Sequence, residues 1–443
     1  MPSKRVIWSI DRLFDKTNLF SNLNPCFFNM NVNQSRLFYA SCFALITTAF
    51  SFSIRAGILG QLGTELSLSA EQLGFINSMW FFGFPIAMIV GGLVYYSVGP
   101  KIIMQVAFLC HMVGILLTIY AQGYNTLLIS TFLIGIGNGC TEAACNPMIA
   151  DMYTGNQMNK MLNRFHMWFP GGIVVGSLIS LFMGPENLGL PWQAQIWVIL
   201  IPTLIYAFLF FGQPFPTAKV AGSTSLGSNF QAMLTPLYLF IFCCMALTAI
   251  SEFGPQQWVG LIMAKSGAQP LIILALVTGL MAVGRYFGGP IIHQLDQTGV
   301  LLGGAIFATI GIYLFSTQTG TMAYVAAVFF AIGVCFFWPT MIGFVAERIP
   351  KSGALGMSII GGVGMFSTSI FQPIIGGWID AERAVQTAAG KTGDVMELAA
   401  GQATLAKMTT FPIILIVAFA GLYFFMRNRR VTHNDASLAQ PQL

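Results

Sequence analysis

Residues 131–153, Thr-Phe-Leu-Ile-Gly-Ile-Gly-Asn-Gly-Cys-Thr-Glu-Ala-Ala-Cys-Asn-Pro-Met-Ile-Ala-Asp-Met-Tyr, set one acid, Glu142, well inside an apolar run. A carboxylate at that depth of a membrane helix costs a few kcal/mol on insertion scales, so it faces a cavity or a partner. Asn146 follows four residues later and shares its helical face. Pro147 has no N–H to donate, which frees the carbonyl of Ala143 beside that face. Gly135, Gly137 and Gly139 let another helix or a ligand approach the backbone closely. An acid, an amide and a loosened backbone on one apolar helix can bind a polar solute within a bilayer, and the acid can carry a proton. The plainer reading is an acid buried for packing, neutral or paired.

Two other charges fall inside apolar runs, Arg55 and Glu252. Helix rise puts both roughly 25 Å from the terminus-side ends of their spans, so they are expected to pair as a gate that opens on arrival of substrate or a proton. A static ion pair is the alternative. Trp338 is a candidate for stacking on a ligand ring, although membrane aromatics more often pack or anchor at the interface. Asn163 and Gln257 are candidate hydroxyl-binding residues on spacing alone. His111 and His166 read as packing histidines. The glycine-rich run 353–377 follows no strand and suggests close helix packing at a moving interface.

The elements that must position these residues follow from composition. The chain has 443 residues, 56% hydrophobic and 8% charged, with a mean hydropathy of +0.74. Soluble domains carry about 25% charged residues, so a soluble globular protein is excluded. No basic patch is interleaved with exposed aromatics, so nucleic acid is not an expected partner. Seven of the eight cysteines lie in apolar segments without metal-ligand spacing, and neither disulfides, a metal nor a cofactor is implied.

Twelve apolar stretches of about bilayer length are expected near 37–60, 73–97, 102–121, 126–150, 164–184, 194–212, 234–260, 271–293, 300–316, 322–346, 353–377 and 408–427. The expected fold is thus an all-α membrane protein with twelve transmembrane helices in two pseudo-symmetric six-helix halves, residues 35–212 and 234–428. A polar linker, 213–233, joins the halves. Residues 1–34 form a tail whose segment 4–20 reads either as an amphipathic surface helix or as a basic tail, and 429–443 form a second tail. Fifteen of the twenty Lys and Arg fall on the side of the termini and four on the other; the remaining one is Arg55. Both termini are therefore expected in the cytoplasm, with the protein in the cell inner membrane. The halves read as a repeat: Ala49–Arg55 can be laid on Ala246–Glu252, and 132–137 on the segment ending at Gly333, at nearly one offset. The loop 378–407 is expected to carry a short surface helix, with no assigned role.

Together these residues resemble the major facilitator superfamily, within it most nearly the fucose permease-like sugar/proton symporters. The resemblance rests on Glu142-Ala-Ala-Cys-Asn146-Pro147 and Asn163-Arg-Phe, with Gly284-Arg285-Tyr-Phe-Gly288 and Trp338-Pro339-Thr340 in support. It implies that Glu142 serves substrate binding and proton coupling. The chain departs from the group in two places. A member of that group has an aspartate in the first span, where this chain has no acid and carries Arg55. After the second span, Tyr96 stands where the superfamily's usual signature has an aspartate.

The expectation is a monomeric secondary transporter, not an enzyme, moving a small hydroxylated solute such as a sugar by alternating access, with protons or sodium as the coupling ion. Glu142, Asn146, Asn163, Trp338 and Gln257 would bind substrate and proton, and Arg55–Glu252 would form the gate. The alternative is a carrier of anionic solutes, sugar acids among them, with Arg55 holding the carboxylate. A membrane-embedded enzyme would need a nucleophile–base or metal constellation that these scattered residues do not form. A non-transporting receptor would not require acids in mid-helix.

Overall fold

The computed structural model describes residues 32–153, 155–216 and 226–438. The expected surface helix at 4–20 and the middle of the linker lie outside the described residues. Every regular element described is helical. Twelve helices are long and apolar enough to cross a membrane, and in chain order they are called spans 1 to 12. Spans 1–6 are Gln34–Glu65, Ala70–Tyr95, Ser97–Ile119, Tyr124–Met152, Arg164–Met183 and Trp192–Phe210. Spans 7–11 are Pro236–Ile262, Pro270–Phe287, Gln294–Thr317, Met322–Val345 and Leu355–Ala388. The last apolar segment, Gly393–Arg427, consists of two helices, Gly393–Met408 and Thr410–Leu438, and the second makes the crossing of span 12.

Three boundaries differ from expectation for local reasons. Span 8 ends at Phe287, because Gly288-Gly289-Pro290 cannot continue a helix through its third residue. Span 10 is not one helix: Met322–Val334 and Phe337–Arg348 are separated at Cys335 and Phe336. Pro339 lacks the N–H that would bond the Cys335 carbonyl, so the break falls one turn before the proline. Span 11 runs on to Ala388, and Gly393–Met408 folds back against it, so the loop 378–407 is a helical hairpin and not one short helix.

With no water to solvate side chains in a bilayer, the helices face apolar groups outward. Leu109, Ile201, Tyr313 and Val417 on spans 3, 6, 9 and 12 are exposed. The face bearing the loops after spans 1, 3, 5, 7, 9 and 11 is here called distal, and the opposite one terminal. At the distal face the two halves are pressed together. A Cβ on Gly74 of span 2 would collide with the Gln372 backbone of span 11, and one on Gly376 with the Ala70 carbonyl. Ser369 Oγ donates to the Ser78 carbonyl at 2.9 Å along the same seam.

The hairpin has a second effect. The first N–H groups of a helix have no partner within it. At span 2, Asp380 from the other half accepts from Ala70 N at 3.1 Å and Glu71 N at 2.9 Å, while Ser69 Oγ accepts from Gln72 N at 3.1 Å. A carboxylate there also complements the helix dipole. Arg383 holds Asp380 at 3.5 Å and Glu397 at 2.8 Å, so the anion that caps span 2 is anchored to the hairpin.

Candidate functional site

Glu142 lies ten residues from the terminal end of span 4, ~15 Å of helix rise, and is half-buried. Asn146 Nδ2 donates to its Oε2 at 2.5 Å, as the i,i+4 spacing suggested, while Asn146 Oδ1 is buried without a partner among the described residues. Pro147 does not break span 4. The glycines of this span serve packing: Gly135 and Gly139 lie against the span 2 backbone at Trp80 and Phe84, and Gly137 against the His111 ring.

Arg55 lies ten residues from the distal end of span 1, also ~15 Å of rise, and is 6% exposed. Its guanidinium does not meet Glu252. Nη2 donates to Gln257 Oε1 at 2.7 Å, the carbon of the guanidinium sits 5.2 Å from the Trp80 ring centroid, and Nε is buried without a partner. Among the described residues it forms no ion pair. Gln257 Nε2 in turn donates to the Phe52 carbonyl of span 1 at 3.3 Å, which fixes the amide with its oxygen toward the cation.

Glu252 is 3% exposed and pairs with Arg285 Nη2 of span 8 at 3.6 Å. Arg285 Nε donates to the Cys335 carbonyl at 2.8 Å, the group left unbonded by Pro339. The expected Arg55–Glu252 pair is therefore replaced by two separate contacts. The reason is azimuth: five residues at 3.6 per turn set Glu252 and Gln257 roughly 140° apart on span 7. One side faces span 1, the other spans 8 and 10. Sequence position placed Arg285 at the membrane boundary, two residues from the end of its helix. Its long stem carries the head back to Glu252. The signal that could have found it was Pro339, four residues after an unbonded carbonyl.

The Trp80 ring on Arg55 belongs to a connected cluster of rings. Phe52 packs on Trp80 at 5.7 Å, Phe81 at 6.3 Å and Phe253 at 6.0 Å, and Trp80 on Phe81 at 4.9 Å. Trp338 meets Phe253 edge-to-face at 5.9 Å and rests on Gly361 and Gly364 of span 11. It is half-buried. Behind the rings, Trp80 Nε1 donates to Ser51 Oγ at 2.9 Å, and Asn138 Nδ2 reaches the same oxygen at 3.3 Å. Asn138 Oδ1 and the Tyr206 hydroxyl lie 2.9 Å from the two His111 ring nitrogens, so His111 is a satisfied buried histidine. The side chains of Asn163 and Tyr96 lie outside the described ones, so the structure tests neither. Among the described residues no cluster of three or more His, Cys, Asp and Glu could hold a metal ion.

Twelve crossings in two six-helix sets, with ionisable groups at mid-depth and one span broken there, define a membrane transporter. Residues 41–373 match the family described as the Major Facilitator Superfamily, and the chain belongs to it. Members move solutes and are not enzymes. One relative, described as a candidate niacin/nicotinamide transporter NiaP of Bacillus subtilis (strain 168), is 20% identical over 370 residues, covering 79% of this chain and 90% of its own. A hexuronate transporter of the same organism is 28% identical over 148 residues, covering 33% and 34%. The crystal structure of the nucleoside transporter NupG superposes with a TM-score of 0.69 at 12% identity, over 88% of this chain and 98% of that one.

Proposed function

We propose that the protein carries a small organic carboxylate across the inner membrane by alternating access, with Arg55 and Gln257 holding the carboxylate and Glu142 with Asn146 taking a co-transported proton. The observation that carries this reading is a cation, 6% exposed, whose only hydrogen-bond acceptor among the described residues is neutral. Taking an ion out of water costs several kcal/mol unless a counter-charge repays it. One amide oxygen and one ring face repay part. An anionic cargo supplies the rest, whereas a neutral sugar leaves Arg55 uncompensated. Two relatives have names that include carboxylates: niacin, beside the uncharged nicotinamide, in one, and hexuronate, a sugar acid, in the other.

Orientation follows from charge. Fifteen Lys and Arg lie on the terminal side and four on the distal side. This supports a distal face outside and termini in the cytoplasm. The seam at the distal face then shuts the outside, while Glu142, ten residues from the terminal end of span 4, is half-buried.

Uptake competition in proteoliposomes tests the reading. Galacturonate, nicotinate and benzoate should compete for transport where galactose does not, and Arg55→Gln should abolish that competition. Competition by galactose that persists in Arg55→Gln would restore the neutral-sugar reading.

A further inference from the structure

At the distal seam the two halves meet in a fixed register. Gly74 of span 2 lies against the Gln372 backbone of span 11, the Ser78 carbonyl accepts from Ser369 Oγ, and Gly376 lies against the Ala70 carbonyl. As one number rises the other falls, so the two helices run antiparallel, and Asn77 and Gln372 fall within about one turn of each other across the seam. Side chains of a helix tilt toward its own N-terminus. Span 2 starts at the distal face and span 11 at the terminal one, so Asn77 leans outward and Gln372 inward, each toward the other's level. Both are 0% exposed, and neither the oxygen nor the nitrogen of either amide has a hydrogen-bond partner among the described residues.

An amide stripped of water without new partners is costly, since each unpaired donor or acceptor bears its full desolvation. Two such amides, one from each half, therefore oppose the closure that buries them. Three sets of contacts favour closure: the backbone approach at Gly74 and Gly376, the Ser369–Ser78 hydrogen bond, and the Asp380 carboxylate on Ala70 N and Glu71 N. Holding and opposing groups thus share one seam. Further along the same two spans the contact is apolar, Phe82 against Phe366 at 5.6 Å.

We infer that Asn77 and Gln372 keep the distal gate poised: closing it strips both amides of water, opening it rehydrates them, and the shut state is held by a small margin. The gate's poise depends on alternating access alone, whichever solute is carried.

Replacing each amide by an apolar side chain of similar shape tests this. The reporter is Ser78→Cys, with Cys243 replaced, in the purified full-length protein without cargo. Its labelling rate by a water-soluble thiol reagent, corrected for the protein with Ser78 intact, is read beside the melting temperature. Asn77→Leu and Gln372→Met should each slow labelling on the order of tenfold and raise the melting temperature. Adding Asp380→Ala to either should return labelling to within about twofold of the reporter protein, because the lost cap speeds it roughly fivefold. That reversal separates a shifted gate from a blocked reporter. Unchanged or faster labelling in both variants, or a lower melting temperature in both, overturns the inference. Slower labelling that Asp380→Ala leaves unchanged overturns it too. No cargo is present in any arm, so each of these failures leaves the carboxylate reading of Arg55 standing.

Discussion

The two halves treat their mid-membrane charges differently. In the first half each charge rests on a neutral group: Glu142 on the Asn146 amide, Arg55 on the Gln257 amide and the Trp80 ring. In the second half the charges answer each other, Glu252 with Arg285, and the pair is tied to a broken helix through the Cys335 carbonyl. A charge held by a dipole can still exchange partners with a cargo or a proton, because no opposite charge must be displaced first. A charge held by its opposite is committed. On the proposed reading the first half therefore presents the binding chemistry, and the second supplies a frame tied to the broken span 10.

The comparison can be broken most decisively at Arg55. Arg55→Gln should weaken carboxylate binding by about thirtyfold or more, since truncating one partner of a buried charge pair costs about 2–5 kcal/mol or more; competition assays with nicotinate measure it. Next in size is Glu142→Gln, expected to lower net uptake driven by a proton gradient more than tenfold while substrate exchange between loaded vesicles persists. A variant that responds to an imposed gradient as the wild type does would remove Glu142 from the proton path.

A smaller effect sharpens the contrast at the distal seam, where an acid of the second half caps a helix of the first. Asp380→Ala removes a cap worth about 1 kcal/mol, so the distal-open population should rise roughly fivefold. Labelling of Ser78→Cys by a membrane-impermeant thiol reagent, with Cys243 replaced, would report it. Smallest is Ser51→Ala, which frees the Trp80 indole behind Arg55. One buried hydrogen bond contributes about 1 kcal/mol, so the apparent affinity should fall a few-fold with the maximal rate unchanged.

Length and hydropathy made the spans legible, because a bilayer demands ~20 apolar residues whatever the cargo. Glu142 and Asn146 were legible for a related reason: contacts at i,i+4 are properties of one helix. Arg55 stood out as a lone cation in oil. Its partner did not, because that depends on which way span 7 is turned, and two side chains five residues apart face different neighbours. Arg285 was misplaced because Cα depth is not head-group depth for a long side chain. Asp380 was hidden for another reason. Span 2 starts with a Ser69–Gln72 capping box, a signal the expected start at 73 did not use, and nothing in sequence spacing says that the anion over it comes from the other half, some 310 residues away.

The most direct test of the account is thermal unfolding of the wild type and Arg55→Gln, each with and without saturating benzoate, with benzamide as the uncharged match. An uncompensated buried cation held for function should lower the stability of the empty protein. Arg55→Gln should therefore melt higher than the wild type when empty, and benzoate, not benzamide, should raise the melting temperature of the wild type alone. Benzoate and benzamide stabilising both proteins equally, with Arg55→Gln melting lower than the wild type, would contradict it.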